Sequence, residues 1–82
     1  MVKSAYHPHF QKQFKKIKDN AFKERLIKQF LKIYESPEIG KPMMHNRKGT
    51  REVYVNPYRL SYIYIKEEDK IVFLDLYHKD EQ

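Results

Sequence analysis

The chain has no cysteine, which excludes a disulfide framework and a thiolate zinc site. This absence is typical of a cytoplasmic protein, and we expect that location. No apolar run approaches the roughly 20 residues that a membrane-spanning helix needs, and no apolar stretch near the amino terminus resembles a secretory signal. The sequence therefore predicts neither a membrane anchor nor a secretory leader.

Tryptophan is also absent, so the aromatic bulk comes from seven tyrosines and five phenylalanines. Tyrosine supplies both core volume and a phenol edge for polar contacts. The hydrophobic fraction of 40% is sufficient for a modest core in a chain of 82 residues. Residues 1–82 are therefore predicted to form a single domain.

Acidic residues are few relative to basic ones. The chain has 11 Asp and Glu against 17 Lys and Arg, which leaves a net charge of +6. An excess of this kind favours an anionic partner, because it attracts opposite charge from solution. The candidates from composition are a nucleic acid, an anionic membrane and an acidic protein.

Two helices are predicted in the first half of the chain. Apolar residues recur at helical spacing over residues 6–18 and, in a wider stripe, over residues 21–35. Asp19-Asn20 breaks the pattern and offers an N-cap for the second helix. Ser36-Pro37 ends that helix, because the residue before a proline avoids the α region. The short connection predicts an antiparallel helical hairpin.

The second half of the chain is rich in β-branched and aromatic residues. The predicted strands cover residues 43–46, 50–55, 58–66 and 71–77, and the predicted turns cover residues 47–49, 56–57 and 67–70. Helices followed by a meander indicate an α+β fold. We expect the N-terminal antiparallel helical hairpin to pack on one face of a three- to four-stranded, mainly antiparallel sheet.

An arginine interrupts the aromatic strand over residues 58–66. Leu60, Tyr62 and Tyr64 share one face of this strand, and Arg59 lies on the other. The helices must cover the face with the large side chains, so Arg59 is predicted on the open face. Alternation alone does not decide which residues of strand 50–55 join it there.

A histidine follows the last predicted strand. His78 begins a polar tail over residues 78–82, so the pleat does not set its direction. Arginine can hold a phosphate through two parallel hydrogen bonds. Histidine is the side chain whose unperturbed pKa brings its charge change close to neutral pH. A cation and an imidazole at the ends of neighbouring strands are what a site acting on a phosphodiester needs.

Three segments, together with the lysine-rich helices, resemble the RelE/ParE superfamily of bacterial and archaeal toxins. The segments are Lys48-Gly49-Thr50-Arg51-Glu52-Val53, Pro57-Tyr58-Arg59-Leu60-Ser61-Tyr62 and Phe73-Leu74-Asp75-Leu76-Tyr77-His78-Lys79. The resemblance extends over about residues 6–80. Members usually begin with a strand before the first helix, and we expect that strand to be short or missing here.

The resemblance implies a function and a set of partners. RelE-type members are ribosome-dependent endoribonucleases that cut mRNA in the decoding site, and an acidic antitoxin wraps and blocks the toxin. The implied partners are therefore the ribosome, mRNA and an acidic antitoxin, with which a heterotetramer is expected. No membrane, cofactor or metal is implied, and His7 and His9 near the terminus have no carboxylate pattern to complete a metal site.

The resemblance also implies catalytic residues. Arg59 matches the arginine of the tyrosine-arginine motif, and Arg51 lies near the position of a basic residue on the preceding strand. His78 corresponds to the tail histidine of the histidine-type members. Only Lys79 follows before Asp80, so the tail lacks the multi-basic pattern and favours a histidine-centred mechanism.

In that mechanism, Arg51 and Arg59 would stabilise the phosphorane and His78 would transfer protons. Glu52 is a candidate partner base, and Tyr77 would stack on a base or donate its phenol proton. Lys79 is a further candidate for RNA contact. The lysines expected to touch ribosomal RNA through phosphates are Lys12, Lys15, Lys16 and Lys48.

Other interpretations remain open at this stage. ParE-type members share the fold but inhibit DNA gyrase and lack the nuclease residues, and an inactive relic is a third candidate. An exposed arginine on a strand is most often a surface residue, and a cross-strand ion pair explains Glu52 equally well. His7, His9 and His45 are interpreted as structural. A histidine within reach of Arg59 would favour the nuclease, and a tail directed away would favour the gyrase inhibitor.

Overall fold

The computed structural model describes residues 2–44 and 48–81. The helices are α1 (Pro8–Lys15) and α2 (Asn20–Glu35), and the strands are β1 (Lys3–Tyr6), β2 (Lys41–Pro42), β3 (Arg51–Val55), β4 (Tyr58–Ile65) and β5 (Lys70–His78). Two 3₁₀ helices cover Lys66–Glu68 and Lys79–Glu81. This order confirms the predicted α+β fold, with a helical hairpin followed by an antiparallel meander.

The strands form one sheet in the order β1-β5-β4-β3-β2. The pairs β2–β3, β3–β4 and β4–β5 are antiparallel, whereas β1 pairs with β5 in parallel. Within residues 2–44 and 48–81, the sheet thus has five strands rather than the predicted three or four. The additional strand is β1, which is four residues long and pairs Tyr6 with Phe73 at its end. So short a segment carries little periodicity, and its strand conformation depends on the distant β5.

Predicted boundaries differ from the structure in the first helix and in the first strand after the helices. The first helix ends at Lys15 rather than at residue 18. The first helix begins at Pro8 rather than residue 6, because His7, as the residue before a proline, is extended. The strand predicted over residues 43–46 is wrong for Met43 and Met44: β2 lies two residues earlier, although Met43 N–H still donates to Thr50 O at 3.0 Å. Residues 45–47, which include part of that strand and of the predicted turn, lie outside the described residues.

Both helices begin with a side-chain cap. The Nδ1 of His7 accepts from His9 N–H at 3.0 Å. The Asp19 carboxylate accepts from Ala21 N–H at 2.9 Å and from Phe22 N–H at 3.2 Å, as the sequence predicted for this N-cap. A cap of this kind contributes about 1 kcal/mol. Within residues 2–44 and 48–81, no helix is both long and apolar enough to cross a membrane.

The core lies between the helices and one face of the sheet. Its buried members are Phe10, Ile17, Phe22, Leu26, Ile33, Val55, Leu60, Tyr62, Ile71, Phe73 and Leu76. Tyr62 is fully buried, and its phenol donates to Pro37 O at 2.8 Å and accepts from Gly40 N–H at 2.9 Å. A Cβ atom at position 40 would lie 2.6 Å from the Tyr62 hydroxyl, so only glycine permits this approach. The phenol therefore attaches the segment after α2 to the centre of the sheet.

An irregularity in β5 determines which of its side chains face away from the helices. Ser61 pairs with Asp75 and Tyr62 pairs with Phe73, which leaves Leu74 as an extra residue. A bulge of this kind interrupts strict alternation. Phe73 and Leu76 can therefore both enter the core although they are three residues apart. Asp75 and Tyr77 are left on the opposite face.

Replacing Tyr62 with Phe should destabilise the fold by about 1–3 kcal/mol, because the buried Gly40 N–H and the partly buried Pro37 O lose this partner. Urea denaturation of both proteins at neutral pH measures this difference. Tyr64→Phe is the matched control, because the Tyr64 phenol bonds the exposed Asp69 at 2.9 Å and its loss should change the midpoint little. Equal midpoints for Tyr62→Phe and the parent would contradict the anchoring role.

Alkaline pH provides a second measure of the same anchor. Burial raises the pKa of the Tyr62 phenol above its ordinary value, and the bond from Gly40 N–H opposes this rise. The Tyr62 phenol therefore holds its proton more tightly in the folded state than in the unfolded state. The stability that the protonated phenol contributes is fully present below the unfolded pKa of about 10, and it is lost as pH rises through the higher folded pKa. Tyr62→Phe should remove this part of the alkaline loss in stability.

Candidate functional site

The strand register decides which side chains share a face with Arg59. Arg59 lies opposite Tyr54 on β3 and opposite Tyr77 on β5. Residues directly opposite in an antiparallel pair point to the same face. Glu52, two residues from Tyr54 on β3, is on that face as well. We call Glu52, Tyr54, Arg59 and Tyr77 the open-face cluster.

At the centre of the open-face cluster lies the buried carboxylate of Glu52. The Tyr77 hydroxyl donates to Glu52 Oε2 at 2.6 Å, and the Arg59 guanidinium lies 3.8 Å from Glu52 Oε1. The Glu52 side chain is only 5% exposed, whereas that of Arg59 is 38% exposed. A buried carboxylate requires such partners, because burial of an uncompensated charge is costly. The Arg59 guanidinium also lies over the Tyr54 ring, 5.9 Å from its centroid.

A cleft of about 350 Å³ opens over this cluster. Its lining residues are Lys41, Met43, Glu52, Val53, Tyr54 and Arg59. Lys41 reaches this face because β2 pairs it directly with Glu52. Lys41 and Arg59 thus both line the cleft that contains the buried Glu52 carboxylate. This arrangement suits an anionic ligand on which a proton is to be moved.

Arg51 lies on the opposite face of the sheet from Arg59. It pairs with the buried Tyr62, and its NH1 donates to Gly40 O at 2.8 Å and to Glu38 O at 3.0 Å. Its NH2 lies 3.4 Å from Glu38 Oε2. The expected grouping of Arg51 with Arg59 is therefore not found, because the register places Glu52 on the open face instead. Arg51 holds the loop between α2 and β2.

His78 belongs to β5 rather than to a tail, so the pleat does set its direction. It pairs with Tyr58, and its ring meets the Tyr58 ring edge-on at 5.5 Å between centroids. Tyr58 in turn packs against Phe22 of α2, which identifies this as the helix-facing side. The His78 Nδ1 accepts from Asp80 N–H at 3.2 Å. The structure does not bring the His78 ring to the face that carries Arg59.

The remaining predicted contact residues are distributed over the surface. Lys79 lies in the last 3₁₀ helix, where its N–H donates to Pro57 O at 3.0 Å. The lysines predicted to contact RNA are all exposed, namely Lys12, Lys15, Lys16, Lys48 and Lys79. Sequence reasoning missed Lys41 and Tyr54. The alternation of Tyr54 with Glu52 could have identified it, but misplacing β2 removed any signal for Lys41.

No three His, Asp or Glu side chains within residues 2–44 and 48–81 come together as ligands for a metal ion. The chemistry available in the open-face cluster and at the wall of its cleft is that of a carboxylate, two phenols and two cations. These groups can bind an anion, accept a proton and stabilise developing negative charge. The cluster is thus equipped for either binding or cleavage of a phosphodiester.

The same arrangement of two helices on an open-faced sheet is that of toxins from toxin–antitoxin pairs. One chain of the intact E. coli RelBE toxin–antitoxin complex superposes on this chain with a TM-score of 0.81 at 19% identity, covering 95% of this chain and 96% of that one. A chain of the toxin–antitoxin complex RelBE2 from Mycobacterium tuberculosis superposes with a TM-score of 0.82 at 20% identity, covering 95% of this chain and 98% of that one. A YoeB/ParE toxin from Agrobacterium tumefaciens superposes with a TM-score of 0.82 at 12% identity, covering 94% of this chain and 98% of that one.

A family model for the ParE toxin of the type II toxin–antitoxin system parDE matches residues 5–82. The chain therefore belongs to the RelE/ParE superfamily of type II toxins, as its motifs indicated. No curated protein sequence matches the chain. The solved structures share less than a quarter of their residues with it and establish the fold alone.

The two arginines first grouped together should respond differently to truncation. Arg51→Ala should lower the free energy of unfolding by about 1–2 kcal/mol, because it frees the carbonyls of Glu38 and Gly40. Arg59→Ala should also lower it, by about 1–3 kcal/mol, because it takes a cation away from the buried Glu52 carboxylate. Urea denaturation measures both losses, and adding Glu52→Gln should restore much of the loss in Arg59→Ala but not that in Arg51→Ala. An Arg51→Ala loss that Glu52→Gln also restores would contradict the placement of Arg51 on the opposite face.

Proposed function

We propose that this toxin is an endoribonuclease that cleaves mRNA on the ribosome, with the open-face cluster as its catalytic site. The observation that carries the proposal is the buried Glu52 carboxylate, held 2.6 Å from the Tyr77 hydroxyl and 3.8 Å from Arg59. Superfamily membership and the surplus of positive charge support it. The action takes place in the cytoplasm, where ribosomes translate.

The cluster provides two of the three requirements for RNA cleavage through the 2′-hydroxyl. The hydroxyl must lose a proton, the phosphorane charge must be stabilised and the 5′-oxygen must gain a proton. Glu52 is the base that takes the first proton, and the Tyr77 phenol orients it. Arg59 clamps the non-bridging phosphate oxygens with its planar fork. Lys41 adds a second cation at the wall of the cleft.

This assignment changes the roles first considered for two residues. Arg51 stabilises the loop from Glu38 to Gly40 and does not contact the RNA. His78, beside Tyr58 on the helix-facing side, does not transfer protons at Arg59. Tyr54, under the Arg59 guanidinium, is the aromatic surface best placed to stack on a splayed base.

A second candidate function is inhibition of DNA gyrase by protein binding. The position of His78 favours it, because a histidine turned away from Arg59 at the end of the last strand matches the expectation for a toxin without nuclease activity. The family model also carries the ParE description. In this case Glu52, Tyr77 and Arg59 would form a structural polar network, and the cleft would bind a protein rather than RNA.

Single-turnover cleavage of mRNA on programmed ribosomes distinguishes these functions. Glu52→Gln and Arg59→Ala should each reduce the rate by about 10²–10⁴-fold, the range for loss of a positioned base or a charge-stabilising group. Arg59→Lys should also lose most activity, because an ammonium cannot replace the two parallel hydrogen bonds. Glu35→Gln, at the exposed end of α2, is the matched control and should cleave at the parent rate.

Two outcomes would count against the nuclease. Cleavage at the parent rate by folded Glu52→Gln and Arg59→Ala would remove the cluster from catalysis. Growth arrest without any mRNA cleavage by the parent, together with loss of DNA supercoiling by purified gyrase, would establish the gyrase inhibitor instead. Primer extension on mRNA from expressing cells gives the corresponding in vivo result.

The antitoxin is expected to be acidic and to cover the open face, including Arg59 and Lys41. Arg51 is outside that surface, because it lies on the opposite face. With a net charge of +6 on the toxin, the affinity should fall as salt is added. Titration calorimetry at low and high salt measures this, and Lys41→Gln should reduce the salt dependence more than Lys32→Gln on α2. An affinity independent of salt would indicate a mainly apolar interface.

A further inference from the structure

The open-face cluster needs a proton donor for the 5′-oxygen, and its two phenols are already engaged. The Tyr77 hydroxyl donates to Glu52 Oε2 at 2.6 Å. The Tyr54 hydroxyl donates to Asn56 Oδ1 at 2.7 Å. Arginine is a very weak acid, with a reference pKa of about 12.5 or more. The donor is therefore to be sought among the other residues that line the cleft.

Lys41 lines the same cleft as Glu52 and Arg59. It lies directly opposite Glu52 in the pairing of β2 with β3, so both side chains point to the open face and their Cα atoms are about 4.5–5.5 Å apart. Arg59 approaches the same carboxylate from β4, on the other side of β3, with its NH1 3.8 Å from Oε1. Neighbouring strands are only about 4.8 Å apart. A phosphate above Glu52 is thus within reach of both long cationic side chains, one from each flank.

Hydrogen bonds on both sides of Lys41 fix where its side chain begins. Before it, Gly40 N–H donates to the Tyr62 hydroxyl at 2.9 Å. After it, Met43 N–H donates to Thr50 O at 3.0 Å. The Lys41 side chain itself is exposed, and its four-carbon stem is flexible. The backbone is therefore held in place, while the ammonium can follow an oxygen that moves away from phosphorus.

An ammonium is suited to protonating an alkoxide. Lysine side chains carry their proton at neutral pH, because their reference pKa is about 10.4. An alkoxide is about as basic as hydroxide, and the pKa of water is about 15.7. Transfer of a proton from the ammonium to the 5′-oxygen is therefore downhill once the bond to phosphorus breaks.

We propose that Lys41 is the general acid of the cleavage and donates its ammonium proton to the leaving 5′-oxygen. This role rests on the proposed nuclease function. The 2′-oxygen forms its bond to phosphorus as Glu52 takes its proton, and the bond from phosphorus to the 5′-oxygen breaks as Lys41 protonates that oxygen. The products are a 2′,3′-cyclic phosphate and a 5′-hydroxyl. Lys41 is left neutral and Glu52 protonated until proton exchange with solvent restores both.

A change of leaving group tests this role directly. Lys41→Gln removes the acid and should slow cleavage of ordinary mRNA on programmed ribosomes by about 10²–10⁴-fold. In mRNA with sulfur in place of the scissile 5′-oxygen, the leaving thiolate needs no proton, since free cysteine thiols have a pKa of about 8.5. On that substrate Lys41→Gln should cleave within a few-fold of the parent, whereas Glu52→Gln should stay slow.

Lys41→Arg separates the acid from a charge that only binds phosphate. It keeps the positive charge but is a much weaker acid, so it should be slow on ordinary mRNA and close to the parent on the sulfur substrate. Lys32→Gln, which removes the same charge from an exposed position on α2, is the matched control and should cleave both substrates at the parent rate.

Three results would overturn the assignment of Lys41 while leaving the nuclease intact. They are a Lys41→Gln rate equal to the parent on ordinary mRNA, an equal loss for Lys41→Gln on both substrates, and a Lys41→Arg rate equal to the parent on ordinary mRNA. A parent that cleaves neither substrate would remove the nuclease and this inference together.

Discussion

The buried Tyr62 phenol is the interaction on which the rest of the structure depends. It connects the centre of the sheet to the segment after α2 through Pro37 O and Gly40 N–H. Arg51 binds the same segment from the neighbouring strand, through Gly40 O. Together they fix where the chain enters β2, and hence which of its residues lies opposite Glu52. A hydrogen bond on the helix side therefore determines the position of a lysine on the other side of the sheet.

Elements with local signals were predictable from the sequence, whereas their relative placement was not. The stripe of α2, the Asp19 cap and the open-face position of Arg59 all follow from periodicity and capping chemistry. The register of β3 against β4 does not follow from such signals, because strand alternation allows either Arg51 or Glu52 to share a face with Arg59. Pairing resolved it: Arg51 lies opposite Tyr62 and Glu52 opposite Ser61. One residue of register decides which of the two joins the candidate site.

Two histidines, His78 and His9, were placed wrongly or incompletely from the sequence because their partners lie far away along the chain. His78 was predicted in a tail because the apolar run ends before it, yet pairing with Tyr58 extends the strand through it. His9 was interpreted as structural, and no carboxylate pattern in the sequence indicated a metal site there. Its partner Asp75 belongs to the last strand, and the parallel pairing of β1 with β5 brings the two together. Neither contact has a signature within a short window of sequence.

The extra residue in β5 resets the alternation of the strand. Ile71 and Phe73 face the helices before Leu74, and Leu76 and His78 face them after it, so Asp75 and Tyr77 face away. In a strand that kept strict alternation through Leu74, Asp75 and Tyr77 would face the helices instead. One inserted residue therefore sets the chemical character of the exposed face beyond it without altering the packing before it.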